Sequence, residues 1–420
     1  MKKVWIFSAL LLAGLGLSQA MPALMGPLRA GAEHLVASVT MIGLAFIMIH
    51  VGYEFDIDKK RVGDFAWDYV VAMTAAAFPW VFVTGYFLYI MLPPEAWSSW
   101  DAWTQTLLAG RFAAPTSAGV LFAMLAAAGL SATWMFRKAR VLAIFDDLDT
   151  ILLMIPLQMM MVGWAWQLGA VVVVMVVMLW MAWHWLNRVV IPCTWPWVLM
   201  YAVVITVFSE LLYFGSIAID KSVPLHLEVL LPAFVLGCMM KPLDDPHRDD
   251  IREGHQEGPG SPKEQKVAGI VSGTFMFFVG LSMPALFGPP ADDAMPKAVQ
   301  DSILAAQPVP SWWVIGWHVM MVTVLSNVGK LFPFFCYRRE AHWRERLAVA
   351  VGMWPRGEVG AGILVLSLGY GLGGPVLTVA MLSLALNLAL TGVFILIVRR
   401  LLKSDGKVLG LIGPREATAC

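Results

Sequence analysis

The sequence predicts an all-α polytopic membrane protein of about twelve transmembrane helices, built as an inverted repeat with one broken helix in each half. Three observations carry this expectation. First, 59% of the 420 residues are hydrophobic and only 14% are charged, with a mean hydropathy of +0.72. Soluble domains rarely show that balance. Second, apolar stretches of helical length recur from end to end, each able to cross a hydrocarbon core roughly 30 Å thick. A membrane β-barrel would show short alternating segments instead. Third, two stretches carry a mid-segment proline followed by small and polar residues. Interrupted helices at corresponding places of two halves mark an inverted-repeat transporter.

In order, the segments run near 4–20, 34–54, 68–92, 104–130, 139–162, 166–184, 195–216, 225–240, 267–288, 311–333, 345–370 and 375–398. The first, MKKVWIFSALLLAGLGLSQA, reads as an uncleaved helix, with a cleaved signal peptide ending near Ser18 and Ala20 as the alternative. Basic residues gather in alternate loops. Lys2, Lys3, Lys59, Lys60, Arg61, Arg137, Lys138, Arg188, the basic residues of 241–266, Arg338, Arg339, Arg344, Arg399, Arg400 and Lys403 fall on one side. The other side holds little beyond Arg29, Lys221 and Lys297. The positive-inside rule then places both termini in the cytoplasm. Tryptophans near segment ends (Trp67, Trp100, Trp103, Trp185, Trp312, Trp313) suit interfacial belts. Cys193, Cys238, Cys336 and Cys420 are dispersed, without metal-ligand spacing. There is no glycine-rich nucleotide motif, and the polar loop 241–266 reads as mobile and too short to fold alone. No cofactor, nucleic-acid partner or ATPase module is expected.

Segment 5 contains AIFDDLDTILLMIP, with Asp146, Asp147 and Asp149 inside an apolar run. A charge at the bilayer centre costs about 2.5–3.5 kcal/mol on insertion scales, so these carboxylates must face protein or water. On a helix Asp146, Asp149 and Thr150 lie along one side, with Asp147 turned about 100° from Asp146. Two adjacent carboxylates in a low dielectric do not both ionise cheaply. Such a pair can hold either a proton or a cation. Arg111, Lys330 and Arg356 are the basic residues that lie deep in segments. Lys330, in VLSNVGKLFPFF behind Ser326 and Asn327, needs an acid if buried, and the Asp146/Asp147 pair is the candidate. Snorkelling to the surface is the plainer alternative.

Segment 4, LLAGRFAAPTSAGVLFAML, and segment 11, LAVAVGMWPRGEVGAGILVL, align loosely on Pro115 and Pro355. Segment 4 enters from outside and segment 11 from inside, as inverted repeats require. Unwound backbone leaves amides and carbonyls free for ions or for protein. Thr116 and Ser117 offer neutral oxygen ligands. Arg356 and Glu358 beside the second proline make an ordinary kink the poorer reading. Glu210 and Glu228 are weaker candidates for lining a path, and His50 and His226 read as satisfied packing residues.

These residues resemble the monovalent cation:proton antiporter superfamily. APTSAGVLFAMLAAAGL followed by ARVLAIFDDLDTILLMIP is similar to its helices 4 and 5, and GKLFP with WPRGEVGAGI to its helices 10 and 11. FMFFVGLSMP looks like its eighth or ninth helix and HVGYEFDID like its second. The match covers most of the chain in the right order. The resemblance implies a core of two inverted three-helix repeats whose helices 4 and 11 cross at their breaks mid-membrane. Residues 67–163 would form core repeat one (helices 3–5) and 311–401 core repeat two (helices 10–12). Residues 1–66 and 164–310, with loop 241–266, would form a homodimer-making panel of helices 1–2 and 6–9, and 402–420 a short cytoplasmic tail. By position, Asp147 matches the acid that binds cation and proton alternately, Asp146 its partner, and Lys330 the lysine that pairs with Asp146. Asn327, Arg356, Glu358, Pro115 and Pro355 would support them. An elevator-like movement would expose the site to either side, and two aspartates go with electrogenic exchange. Asp149 falls outside the family pattern, and Thr116 and Ser117 stand where some members have a carboxylate.

The expected function is secondary-active exchange of a monovalent cation, Na+ first, for protons across a bacterial inner membrane. Sodium prefers hard oxygen ligands, which the carboxylates, Thr116, Ser117 and main-chain carbonyls supply. K+/H+ exchange is an alternative, set second because potassium-efflux members commonly carry a nucleotide-binding domain after the last helix. A sodium-coupled symporter of an organic anion is another, and would need a roomier cavity. An enzyme is not expected, since no histidine cluster accompanies the aspartates.

Overall fold

Over the described residues each apolar segment is helical in whole or in part, because backbone polar groups in a bilayer must be satisfied within the span. The computed structural model describes residues 2–25, 29–53, 62–162, 166–186, 188–219, 229–241, 262–283, 302–404 and 407–408. Glu228, His226, Cys420 and most of loop 241–266 lie outside them. The first helices are α1 (Lys2–Met25), α2 (Arg29–Tyr53) and α3 (Val62–Tyr86), the last continuing into a wider turn at Phe87–Met91. Segment 4 is two helices, α4 (Trp100–Gly110) and α5 (Ala118–Ala127). Segment 5 is the single helix α6 (Trp134–Val162), followed by α7 (Trp166–His184), α8 (Trp195–Ile219), α9 (Leu230–Met239) and α10 (Pro262–Leu281). Segment 10 gives α11 (Trp312–Gly329) and the short α12 (Phe332–Cys336). Segment 11 is again two helices, α13 (Trp343–Gly352) and α14 (Glu358–Gly369), and α15 (Gly374–Leu402) closes the series. A two-residue antiparallel pair, Lys403–Ser404 with Lys407–Val408, follows it.

Among the described residues seven spans are long and apolar enough to cross a membrane by length and composition. α6, about 43 Å long from 1.5 Å per residue over its 29 residues, buries Asp146, Asp147 and Asp149. Shorter apolar helices at Gly169–His184, Leu230–Met239 and Val359–Leu368 account for most of the rest. The sequence set 262–266 in a loop, but α10 begins there. Pro262 suits a first helical position, Glu264 lies in the first turn, and its Oε1 accepts from Trp195 N at 3.0 Å.

The chain divides into two compact units. One holds Met1–Arg29, Asp58–Gly163 and Val279–Cys420. Within it α3 packs against α6 and α11, and α15 packs against α11 and α13. The sequence reading placed helix 1 with helix 2 in the outer panel. Here α1 packs on α15 and α5 instead, with Ser8 lying directly against Gly392, where a side chain would collide. The other unit holds Ala30–Ile57 and Trp164–Phe278. In it α9 packs against α7 and α8, while Trp197, Val204, Phe208 and Leu211 form an exposed apolar stripe along α8.

Candidate cation-binding site

The two broken segments are interrupted around Pro115 and Pro355, where proline lacks the N–H that a continuing turn would need. The peptide groups freed there must still be satisfied when buried, and each break satisfies the other. Ser117 N donates to Pro355 O at 3.0 Å. Thr116 Oγ1 donates to Met353 O at 3.0 Å, and Arg356 Nε donates to Ala113 O at 3.0 Å. Ser117 then caps α5, its Oγ accepting from Val120 N at 3.3 Å. Gly357 permits the contact, since a Cβ there would stand 2.9 Å from Ser117 Oγ. Both prolines, Thr116, Ser117 and Arg356 are buried. The Thr116 hydroxyl expected to ligate an ion thus also holds the crossing together, while that of Ser117 caps α5.

Arg356 is the hub of the second break. Besides Ala113 O it donates to Asn327 Oδ1 (2.8 Å), Trp354 O (3.1 Å) and Ser326 O (2.9 Å). Asn387 of α15 joins the cluster. With its nitrogen toward Trp354 O at 2.8 Å, both ends of its amide are satisfied. The sequence reading passed over Asn387, although a lone asparagine in LSLALNLALTG was a signal of its own. Glu358 opens α14, and its side chain lies outside what the structure describes.

α6 brings its carboxylates to this crossing. Asp146 Oδ2 accepts from Thr116 N at 2.8 Å and from Lys330 Nζ at 2.6 Å. Lysine and aspartate are both 0% exposed, so neither charge is screened by bulk water. Asp146 Oδ1 has no hydrogen-bond partner among the described residues. Lys330 reaches this point because it caps α11, whose Gly329 lies against α3. A Cβ on Gly329 would come within 2.5 Å of Pro79 N. Asp147, the next residue of α6, is 2% exposed. Asp149 is also buried and points elsewhere, its Oδ1 accepting from Tyr69 Oη at 2.8 Å. Among the described residues no group of three or more His, Cys, Asp or Glu is placed to hold a metal. A cation here would rely on the carboxylates with hydroxyl and main-chain oxygens.

The sodium/hydrogen exchanger transmembrane family matches residues 3–398. The chain belongs to this family. It is accordingly a multi-pass membrane transporter, not an enzyme, and its class of activity is cation/proton antiport. Among solved structures it is similar to the sodium proton antiporter MjNhaP1 from Methanocaldococcus jannaschii at pH 8. The two share 14% identity over 92% of this chain and 89% of that one, with a TM-score of 0.49. No curated protein sequence matched.

A second polar cluster of this exchanger lies in the same unit. Asp68 of α3 accepts from Lys138 Nζ at 2.9 and 3.0 Å and from Tyr337 Oη at 2.8 Å. Lys138 also lies 3.1 Å from Glu340 and 4.6 Å from the centre of the Tyr337 ring. Burial, and next the Asp68 carboxylate, push the Tyr337 phenol above its ordinary range. The sequence reading missed this cluster, because its members are far apart in the chain and ordinary for helix ends.

Proposed function

We propose that the chain exchanges Na+ for protons by alternating access, and that cation and proton compete for Asp147 and Asp146. The observation that carries this is the Lys330–Asp146 contact of 2.6 Å between two side chains with no exposure, at the meeting point of two interrupted helices. A buried pair of this kind is held by its mutual charge. A cation arriving at Asp146 and Asp147 competes with the ammonium for the same carboxylate, and a proton does the same. Asp146 Oδ1, buried and without a hydrogen-bond partner among the described residues, fits such a ligand. Thr116, Ser117 and the carbonyls of the breaks are oxygen donors of the hardness Na+ prefers. Residues 67–163 and 311–401 would move as the transporting core, with the remaining helices forming a homodimer in a bacterial inner membrane and both termini cytoplasmic.

The test uses everted vesicles from cells without antiporters of their own. An acid interior is imposed, then Na+, Li+ or K+ is added and a pH dye is followed. Wild type dequenches the dye most strongly with Na+, and Asp147→Asn does not dequench it. A strongest response to K+ would make the protein a K+/H+ exchanger. No response to any cation over a broad pH range would remove the exchange reading and leave the organic-anion symporter to be assayed. Equal activity in Asp147→Asn would remove Asp147 from the centre.

A further inference from the structure

Asp149 is the buried acid of α6 that the crossing does not use. Tyr69 satisfies its Oδ1, while Oδ2 has no hydrogen-bond partner among the described residues, and the residue is 2% exposed. The basic residue that touches its main chain is Arg111, which follows α4 directly, four residues before Pro115. Arg111 is 0% exposed and stacks 4.5 Å from the centre of a Trp80 ring. Its Nη2 donates to the Asp149 main-chain carbonyl at 3.1 Å, but Nε and Nη1 have no hydrogen-bond partner among the described residues. Arg356 is the contrast, with Nε, Nη1 and Nη2 all donating. A buried guanidinium so poorly hydrogen-bonded is tolerated through the field of neighbouring carboxylates. Arg111 lies within electrostatic reach of both Asp146 and Asp149.

Buried charges on the helices and breaks of the crossing include Asp146, Asp147 and Asp149 with Arg111, Arg140, Lys330 and Arg356. Lys330 is taken by Asp146, and Arg356 sits among carbonyls and amides. Arg111 touches Asp149 through the main-chain oxygen at 3.1 Å, which places the Asp149 carboxylate, together with Asp146, to offset the guanidinium. We infer that Asp149 and Arg111 are a fixed, untransported charge pair that sets the cation affinity of Asp146 and Asp147. Asp149 is a positioning residue in this scheme. It offsets the Arg111 charge in the field felt by the exchanging carboxylates and does not ligate the ion itself. This rests on the exchange reading above. Asp149 follows Asp146 by three residues of α6, about one helical turn, so removing its carboxylate takes a negative charge from that range and leaves Arg111 less offset. At an effective interior dielectric of about 20, that is enough to weaken cation binding by about tenfold or more.

The test reconstitutes the full chain in proteoliposomes and measures cation-dependent proton flux at one alkaline pH, where protons compete least. Asp149→Asn raises the KM for the exchanged cation about tenfold, with Vmax changed less than KM. Arg111→Gln lowers KM. The double variant returns KM to within about threefold of wild type, because the two charges are removed together. Opposite signs with rescue are what a packing role would not produce. A packing role would depress Vmax and thermal stability in each single variant, and further in the double. Unchanged KM in both single variants, shifts in the same direction, or additive damage in the double would each overturn the inference. Should Asp149→Asn fail to fold, Arg111→Gln decides alone: a lowered KM supports the pair, and an unchanged or raised KM overturns it. A wild type that exchanges no cation sinks the exchange reading and this inference with it. An active wild type with indifferent variants sinks only the inference.

Discussion

Lys330 and Asp146, both 0% exposed, depend on each other. Removing one member of a buried pair leaves an uncompensated charge and typically costs about 3–5 kcal/mol, whereas removing both is often close to neutral. Lys330→Met is therefore expected to unfold at a clearly lower temperature than wild type in detergent. Asp146→Asn combined with Lys330→Met should recover much of the loss while remaining inactive. A single variant as stable as wild type would show that the lysine charge is not what holds this contact. From sequence, Lys330 pointed to two acids, because a deep lysine needs one, and the structure sets it on Asp146 at 2.6 Å. The partners of Arg356 were not legible in the same way. They are mostly main-chain oxygens, at Ala113, Ser326 and Trp354, and any residue carries a carbonyl.

At the scale of elements, the breaks themselves were legible from Pro115 and Pro355, since proline interrupts a helix by a local mechanism. Their reciprocal bonding was not, because it arises only where two distant segments cross. Arg356→Lys tests it. An ammonium cannot reproduce the planar fork that reaches Ala113, Asn327, Trp354 and Ser326. Stranding even one of those buried acceptors costs about 1–3 kcal/mol, so both thermal stability and exchange should fall. Ser117→Ala removes the cap of α5 and should cost about 1 kcal/mol in chemical unfolding. Gly329→Ala should push α11 off α3 at Pro79 and carry Lys330 with it, reducing exchange by more than it reduces stability. Wild-type flux in that variant would mean that α3 yields readily at the contact. The start of α10 at Pro262 was misjudged because composition alone marks 262–266 as polar, whereas the contact of Glu264 with Trp195 is tertiary.

For the whole molecule, hydropathy located the spans because a bilayer leaves the backbone few alternatives to a continuous helix. It could not show that α1 packs on α15, since an apolar helix does not record which neighbour it covers. Orientation is a prediction at this scale. The alternation of basic loops puts both ends in the cytoplasm. A fluorescent protein fused to the C-terminus should therefore fluoresce, and a periplasm-dependent phosphatase fused there should stay inactive. The reverse pattern would invert every assignment of sides. With the predicted orientation, the Asp68, Lys138, Tyr337 and Glu340 cluster faces the cytoplasm, where the end of α3 is pinned to α6 and to the turn after α12.

The bonds between the two breaks join residues separated by 237 and 243 positions in the chain. A ribosome adding about 5–20 residues per second needs roughly 12–48 seconds to make that much polypeptide. For that interval the first break exists without the second, and Ala113 O, Thr116 Oγ1 and Ser117 N must be served by water, by lipid headgroups or by the insertion machinery. A message cut short before codon 353 would leave a nascent chain that cannot complete its own centre. Such a fragment should be recognised and degraded far faster than the finished transporter.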